Sequence, residues 1–240
     1  MTPLLKAPDT TSATGSPLLR FYRSAIGKKL VTGVTGLALA TFVLVHMLGN
    51  LLLFLGHQSY NAYAHHLASL GPLLYAIEGV LLVAVLLHGA IGVEIYVGKR
   101  RARAEQYQVY RSVGENSYQS LSSRTMIVSG TVLVGFLVAH LATFKFGPYY
   151  PTDLNGETVR DLARLVVEVF HKLPYTLGYS MVLGLLGLHL RHGIWSAFQS
   201  IGALQAGIRP AAYGISLVLA GAIALGFLVL PWAIYLGWID

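Results

Sequence analysis

An all-α membrane protein, a bundle of five transmembrane helices with its N-terminus cytoplasmic, is the fold class this sequence predicts. Three observations carry it. Of 240 residues, 55% are hydrophobic and 11% charged, far from the mixture of a soluble domain. Five windows each hold about 20 mainly apolar residues, the length of one bilayer crossing. The basic residues collect on one side of the alternating spans.

The first nineteen residues, "MTPLLKAPDTTSATGSPLL", contain one lysine and no apolar run long enough for a cleavable signal. Residues 1–19 therefore read as a disordered tail, and 20–240 as one membrane domain. The expected spans are Lys29–Leu55, Pro72–Val97, Thr125–Phe146, Leu173–Ser196 and Pro210–Leu236. If they alternate, Lys6, Arg20, Arg23, Lys28, Lys29, Lys99, Arg100, Arg101, Arg103, Arg111, Arg124, Arg191 and Arg209 share one side. The other side holds Lys145, Arg160, Arg164 and Lys172, offset by Asp153, Glu157, Asp161 and Glu168, and the loop 56–71 has no lysine or arginine. The positive-inside rule then puts the N-terminus in the cytoplasm and the C-terminus outside. In the outer stretch Gly156–Leu173, Leu162, Leu165, Val166 and Val169 recur at helical spacing among charges, which predicts a helix lying at the interface.

Cysteine is absent, so disulfides, c-type haem attachment and thiolate-held iron–sulfur clusters are excluded within this chain. The net charge of +7 is accounted for by topology and membrane lipid, and no nucleic-acid partner is expected.

Nine histidines are present. His57, His65, His66, His171 and His192 fall in loops or near helix ends, where solvation explains them. His46, His88, His140 and His189 each fall inside a different span, where an ionisable side chain is costly and marks a functional site. At 1.5 Å rise per residue, His46 lies ~14 Å and His140 ~9 Å from the outer ends of their spans. His88 lies ~14 Å and His189 ~11 Å from the inner ends of theirs. The four thus sort into an outer pair and an inner pair. With no cysteine and no cluster of intramembrane carboxylates, bis-imidazole ligation of two haem irons is the natural assignment. Gly33, Gly36, Gly49, Gly89, Gly92, Gly130, Gly135, Gly184 and Gly187 supply flat helix surface for a macrocycle or a neighbouring helix.

Several stretches carry a resemblance: "SAIGKKLVTGVTGL" opening the first span, "HMLGN" from His46, "SYNAYAHHLASLGPLLYAIE" before and into the second, "HGAIGVEIY" from His88, "SSRTMIVSG" opening the third, and "HLRHGIWSAFQSIG" from His189. Together they resemble the five-helix, two-haem cytochrome b subunit of succinate:quinone oxidoreductases (complex II) and quinol:fumarate reductases. The likeness runs from Ser24 to the end of the fifth span. It implies a bacterial cytoplasmic membrane, with His46 and His140 holding a distal haem b near the outer face and His88 and His189 a proximal haem near the cytoplasmic face. It also implies a flavoprotein partner, an iron–sulfur partner docking on the basic inner side, and a quinone, commonly menaquinone, as substrate. The chain would be the membrane subunit of that enzyme without a dicarboxylate site of its own, and no catalytic residue is assigned.

In the loop before the second span some family members have an acidic residue thought to handle the quinol proton. Here that neighbourhood reads "AHHLASLGP", and His65, His66 or Glu78 are the candidates for quinone or proton transfer. Glu78, ~9 Å into its span, is expected to have an interior polar partner. Lys28, Arg124 and Arg191 at inner helix ends either snorkel to lipid phosphate or pair with haem propionates. Glu94 reads as a structural partner to a basic residue, and Trp195, Trp232 and Trp238 as belt residues at the membrane faces. Two alternatives stay open: a haem-free anchor of the same complex, and the cytochrome b subunit of a hydrogenase or formate dehydrogenase.

Overall fold

The computed structural model describes residues 16–102 and 121–240. Residues 1–15 of the expected tail, with Lys6, and also Arg103 and Arg111, lie outside the described residues; Pro17–Leu19 belong to a short first helix rather than to the tail. That helix, α1 (Pro17–Arg23), is capped by Ser16, whose Oγ accepts from the Leu19 N–H at 3.3 Å. The chain then turns a corner at Ser24 into α2 (Ala25–Leu51), the Ser24 Oγ accepting from the Gly27 N–H at 2.9 Å. A Cβ on Gly27 would fall 1.9 Å from the Phe21 carbonyl oxygen, so only glycine fits the corner.

After α2 come one 3₁₀ turn (Leu52–Leu55), α3 (His57–Ser69), α4 (Pro72–Arg101), α5 (Leu121–Arg124), α6 (Met126–His140) and a π-turn, Leu141–Lys145. A two-stranded hairpin, β1 (Pro151–Leu154) with β2 (Glu157–Arg160), leads to α7 (Leu162–Phe170). The chain closes with α8 (Leu173–Ser200), a 3₁₀ turn (Ala206–Ile208) and α9 (Arg209–Tyr235). Five stretches are long and apolar enough to cross a bilayer: Ala25–Leu55, Pro72–Arg101, Met126–Lys145, Leu173–Ser200 and Arg209–Tyr235. Each contains most of one expected span.

Between these spans the structure departs from the sequence reading. The loop 56–71 contains α3, a polar helix with Tyr60 and Asn61 buried. The interfacial helix begins at Leu162 and not at Gly156, because Glu157–Arg160 pairs with Pro151–Leu154 across an Asn155–Gly156 turn with φ of 56° and 88°. Positive φ at both central residues is what a two-residue hairpin asks for, and Asn-Gly supplies it.

α2, α4, α6 and α8 form a ring in which each packs on its two neighbours, α2 on α4, α4 on α6, α6 on α8 and α8 on α2. The diagonal partners, α2 with α6 and α4 with α8, do not pack backbone against backbone to any comparable extent. α9 lies outside this ring in the groove between α8 and α2, where Ala40, Met47, Leu190, Ile194, Ala220 and Ile223 make a buried seam. By contrast α4 buries fully only Ile91 and α6 only Ser129. Most of the remaining apolar side chains face outward, as Val80, Leu82, Val134 and Val138 do, the arrangement hydrocarbon surroundings permit.

The two ends of the bundle differ. The end holding the start of α2 carries Lys28, Lys29, Lys99, Arg100, Arg101, Arg124 and Arg209. The far end is covered by α3, the hairpin and α7, whose Ala163, Leu165, Val166, Val169 and Phe170 pack on Leu53, Tyr60, Leu230 and Ile234. Buried Asn61 ties this cover together: its Nδ2 donates to Asp161 at 2.8 Å, and its Oδ1 accepts from the Ala163 N–H at 2.9 Å. Burial also pushes the Tyr60 phenol above its ordinary range. That hydroxyl donates to Asn50 Oδ1 at 3.0 Å, fastening α3 to α2.

Candidate functional site

The four intramembrane histidines meet in two pairs, each bridging one diagonal of the ring. His46 of α2 faces His140 of α6 with ring centroids 5.8 Å apart, and His88 of α4 faces His189 of α8 with centroids 6.2 Å apart. Two imidazole nitrogens bound to opposite sides of one metal at ~2 Å each would place their ring centroids about 6 Å apart. The side chains therefore stand at the separation one bridging metal ion requires, while the helices that carry them stay apart. The ring planes are turned by 87° and 62° in the two pairs.

The His88 and His189 rings are braced by neighbouring helices. His88 Nδ1 lies 3.2 Å from the Thr32 carbonyl oxygen and 3.4 Å from Thr35 Oγ1. A carbonyl can only accept, so Nδ1 carries the hydrogen and Nε2 keeps its lone pair, the form that binds a metal. Thr35 itself donates to the Val31 carbonyl at 2.8 Å. His189 Nδ1 sits 3.0 Å from the buried hydroxyl of Ser129 on α6. Two glycines let backbone reach these rings: a Cβ on Gly36 would lie 3.0 Å from His88 Cε1, and one on Gly130 3.5 Å from His189 Cε1.

His46 and His140 sit among aromatic rings. His46 stacks on Phe42 at 5.5 Å and contacts Phe227 at 5.9 Å, and it has no ring hydrogen-bond partner among the described residues. His140 is enclosed by Phe136, Phe144 and Tyr179, with ring centroids at 5.6, 5.2 and 6.2 Å. The Tyr179 hydroxyl lies 3.2 Å from His140 Nδ1. Tyr179 and Phe136 also line an apolar groove of about 430 Å³ between α6 and α8.

Among the described residues no group of three or more His, Cys, Asp or Glu gathers to hold a metal ion. Two facing imidazoles suit a metal that brings its other ligands with it, as haem iron does, and this donor set fits that group. Beside Gly89, Gly92, Gly135 and Gly184 a Cβ would meet no neighbour within 4 Å.

The other candidates are placed as follows. Glu78 pairs with Lys145 of the π-turn, so the expected polar partner is present. His65 Nε2 lies 3.5 Å from Glu157 of the hairpin, and His66 is exposed in the last turn of α3. Lys28 pairs with Glu94 at 2.9 Å, which identifies the basic partner expected for Glu94. Arg191 donates to the Tyr213 hydroxyl through one nitrogen, while its Nε is buried without a hydrogen-bond partner. Arg124 closes α5, and His192 lies within α8, because that helix continues to Ser200. Trp195 is buried edge-on to Tyr213, and Trp232 donates to Ser180 Oγ at 3.0 Å, so neither serves only as a belt residue.

Ser129, Thr32, Thr35 and Tyr179 escaped the sequence reading. Ser129 is one of three serines in "SSRTMIVSG", and nothing in that stretch distinguishes it, while Tyr179 has no signal beyond lying ten residues before His189. Compared with protein-family models, with curated proteins and with solved structures, the chain matches none.

Proposed function

We propose that this chain is a two-haem membrane cytochrome b, with His46 and His140 holding one haem iron and His88 and His189 the other. In this reading it is the membrane-anchor and electron-transfer subunit of a succinate:quinone oxidoreductase or quinol:fumarate reductase in a bacterial cytoplasmic membrane. The observation that supports it is the meeting of four histidines from four spans as two diagonal pairs at 5.8 and 6.2 Å. Unpaired imidazoles at membrane depth would be an expense without return.

Bound there, two haems b would supply one-electron transfer between an iron–sulfur partner and a membrane quinone, menaquinone in the family this sequence resembles. The protein's own part is placement and tuning. Thr32 and Thr35 orient His88, and Tyr179 contacts His140, each partner biasing the basicity of its imidazole. The basic end of the bundle, with Lys28, Lys29, Lys99–Arg101, Arg124 and Arg191, suits the docking of an iron–sulfur subunit with its flavoprotein, and contact with anionic lipid or haem propionates. At the far end Glu78, held by Lys145, and His65, beside Glu157, are groups able to carry a quinone proton.

If electrons run from the basic cytoplasmic end to the outer face, the membrane potential favours their movement by ~2.3 kcal/mol per charge per 100 mV. A pyridine haemochrome assay and a reduced-minus-oxidised spectrum of the purified chain test the reading. Two haems b per polypeptide are expected; none would leave a haem-free anchor.

A further inference from the structure

The Ser129 hydroxyl holds a position that the packing of α6 alone does not call for. It is 1% exposed, and its Oγ lies 3.0 Å from the Thr125 carbonyl, 3.2 Å from the Met126 carbonyl and 3.0 Å from His189 Nδ1. A hydroxyl has one hydrogen and two lone pairs. Turning that hydrogen toward Nδ1 would set the lone pairs of Oγ against the Thr125 carbonyl oxygen at 3.0 Å, so the hydrogen goes to the carbonyl. The imidazole must then be the donor: Nδ1–H of His189 gives to Ser129, and Ser129 gives to the backbone of the preceding turn. Each bond polarises the next.

We propose that Ser129 is a positioning residue for His189, fixing its tautomer and raising its donor strength through this two-step hydrogen-bond chain. The inference rests on the reading that His88 and His189 hold a haem. An imidazole that donates through Nδ1 to a good acceptor is a more basic ligand at Nε2, and it favours ferric over ferrous iron. Among the described residues no other side chain gives His189 this bond. His88 obtains the same effect from α2, through the Thr32 carbonyl and Thr35, so the pair is braced from both flanking helices, while His140 rests on a phenol and His46 on aromatic carbon.

The test is a spectroelectrochemical titration of the purified complex carrying Ser129→Ala, Ser129→Val or Ser129→Thr, resolving two midpoint potentials. Valine and threonine have the same shape and differ in the hydroxyl, so packing changes cancel between them. Relative to Ser129→Thr, Ser129→Val is expected to weaken the preference for ferric iron about tenfold, read as a rise of ~59 mV in one midpoint with the other unmoved. Ser129→Ala should follow valine. Equal midpoints in the valine and threonine variants would overturn the proposal, as would loss of haem in all three variants, which would assign Ser129 to packing. A wild-type protein without haem sinks the ligation reading itself, whereas two haems with midpoints indifferent to the hydroxyl sinks only the role of Ser129.

Discussion

The two histidine pairs reach the same spacing by different means. At the basic end, His88 and His189 are held by polar atoms and bare backbone: a carbonyl, two hydroxyls and the two glycines Gly36 and Gly130. Toward the covered end, His46 and His140 are held by the faces and edges of Phe42, Phe227, Phe136, Phe144 and Tyr179, with one hydroxyl among them. Hydrogen bonds fix a ring's rotation and its tautomer, whereas aromatic contacts fix its position and leave the tautomer free. The difference teaches that one pair is specified by direction and the other by shape.

The largest effect expected from breaking this comparison comes from removing a ring. On the proposed ligation, His88→Ala or His189→Ala should lose one of two haems and leave the spectrum of the other, and His46→Ala or His140→Ala should do the converse, read by haem content and optical spectrum. Full haem content in any of these variants would contradict ligation at that pair. Next is the close approach on α2. Gly36→Ala forces a methyl to 3.0 Å from the His88 ring, an overpacking expected to cost about 1–3 kcal/mol. Gly130→Ala meets its ring at an ordinary 3.5 Å and gains up to about 1 kcal/mol of helix propensity. Thermal denaturation in detergent should therefore separate the two glycines by sign.

A smaller effect is expected at the aromatic pair. Tyr179→Phe keeps the ring and removes the hydroxyl beside His140, a loss of about 1 kcal/mol, read as several-fold faster haem release from that pair alone. Least is expected from Glu78→Gln, whose partner Lys145 is 36% exposed. Glutamine keeps the length of the side chain and an oxygen that still accepts from Lys145, so thermal stability should change less than in the variants above, and any large change in quinone reduction would then report a role in proton transfer.

The spans were legible because hydropathy over about 20 residues is a strong signal, and the pairing of His46 with His140 and of His88 with His189 followed from depth along alternating helices. What stayed hidden depends on rotation about helix axes. Ser129 and Tyr179 touch histidines on other helices, and no spacing within their own helices reveals it. α3 was missed because "HQSYNAYAHHLAS" has a weak apolar face, and its stability comes from Tyr60 and Asn61 reaching α2 and α7. The hairpin did leave a mark, Asn155–Gly156 between two short polar runs, which the helical spacing of Leu162, Leu165, Val166 and Val169 does not register.

Diagonal pairing has a consequence for biosynthesis. The first half of the polypeptide, through α4, contributes one imidazole to each pair, and the second half contributes the other. When α4 has been threaded into the bilayer, both sites exist only as half-sites, and His46 must wait for α6 while His88 waits for α8. The two closures cross rather than nest, so a nascent chain finishes neither until its later helices arrive.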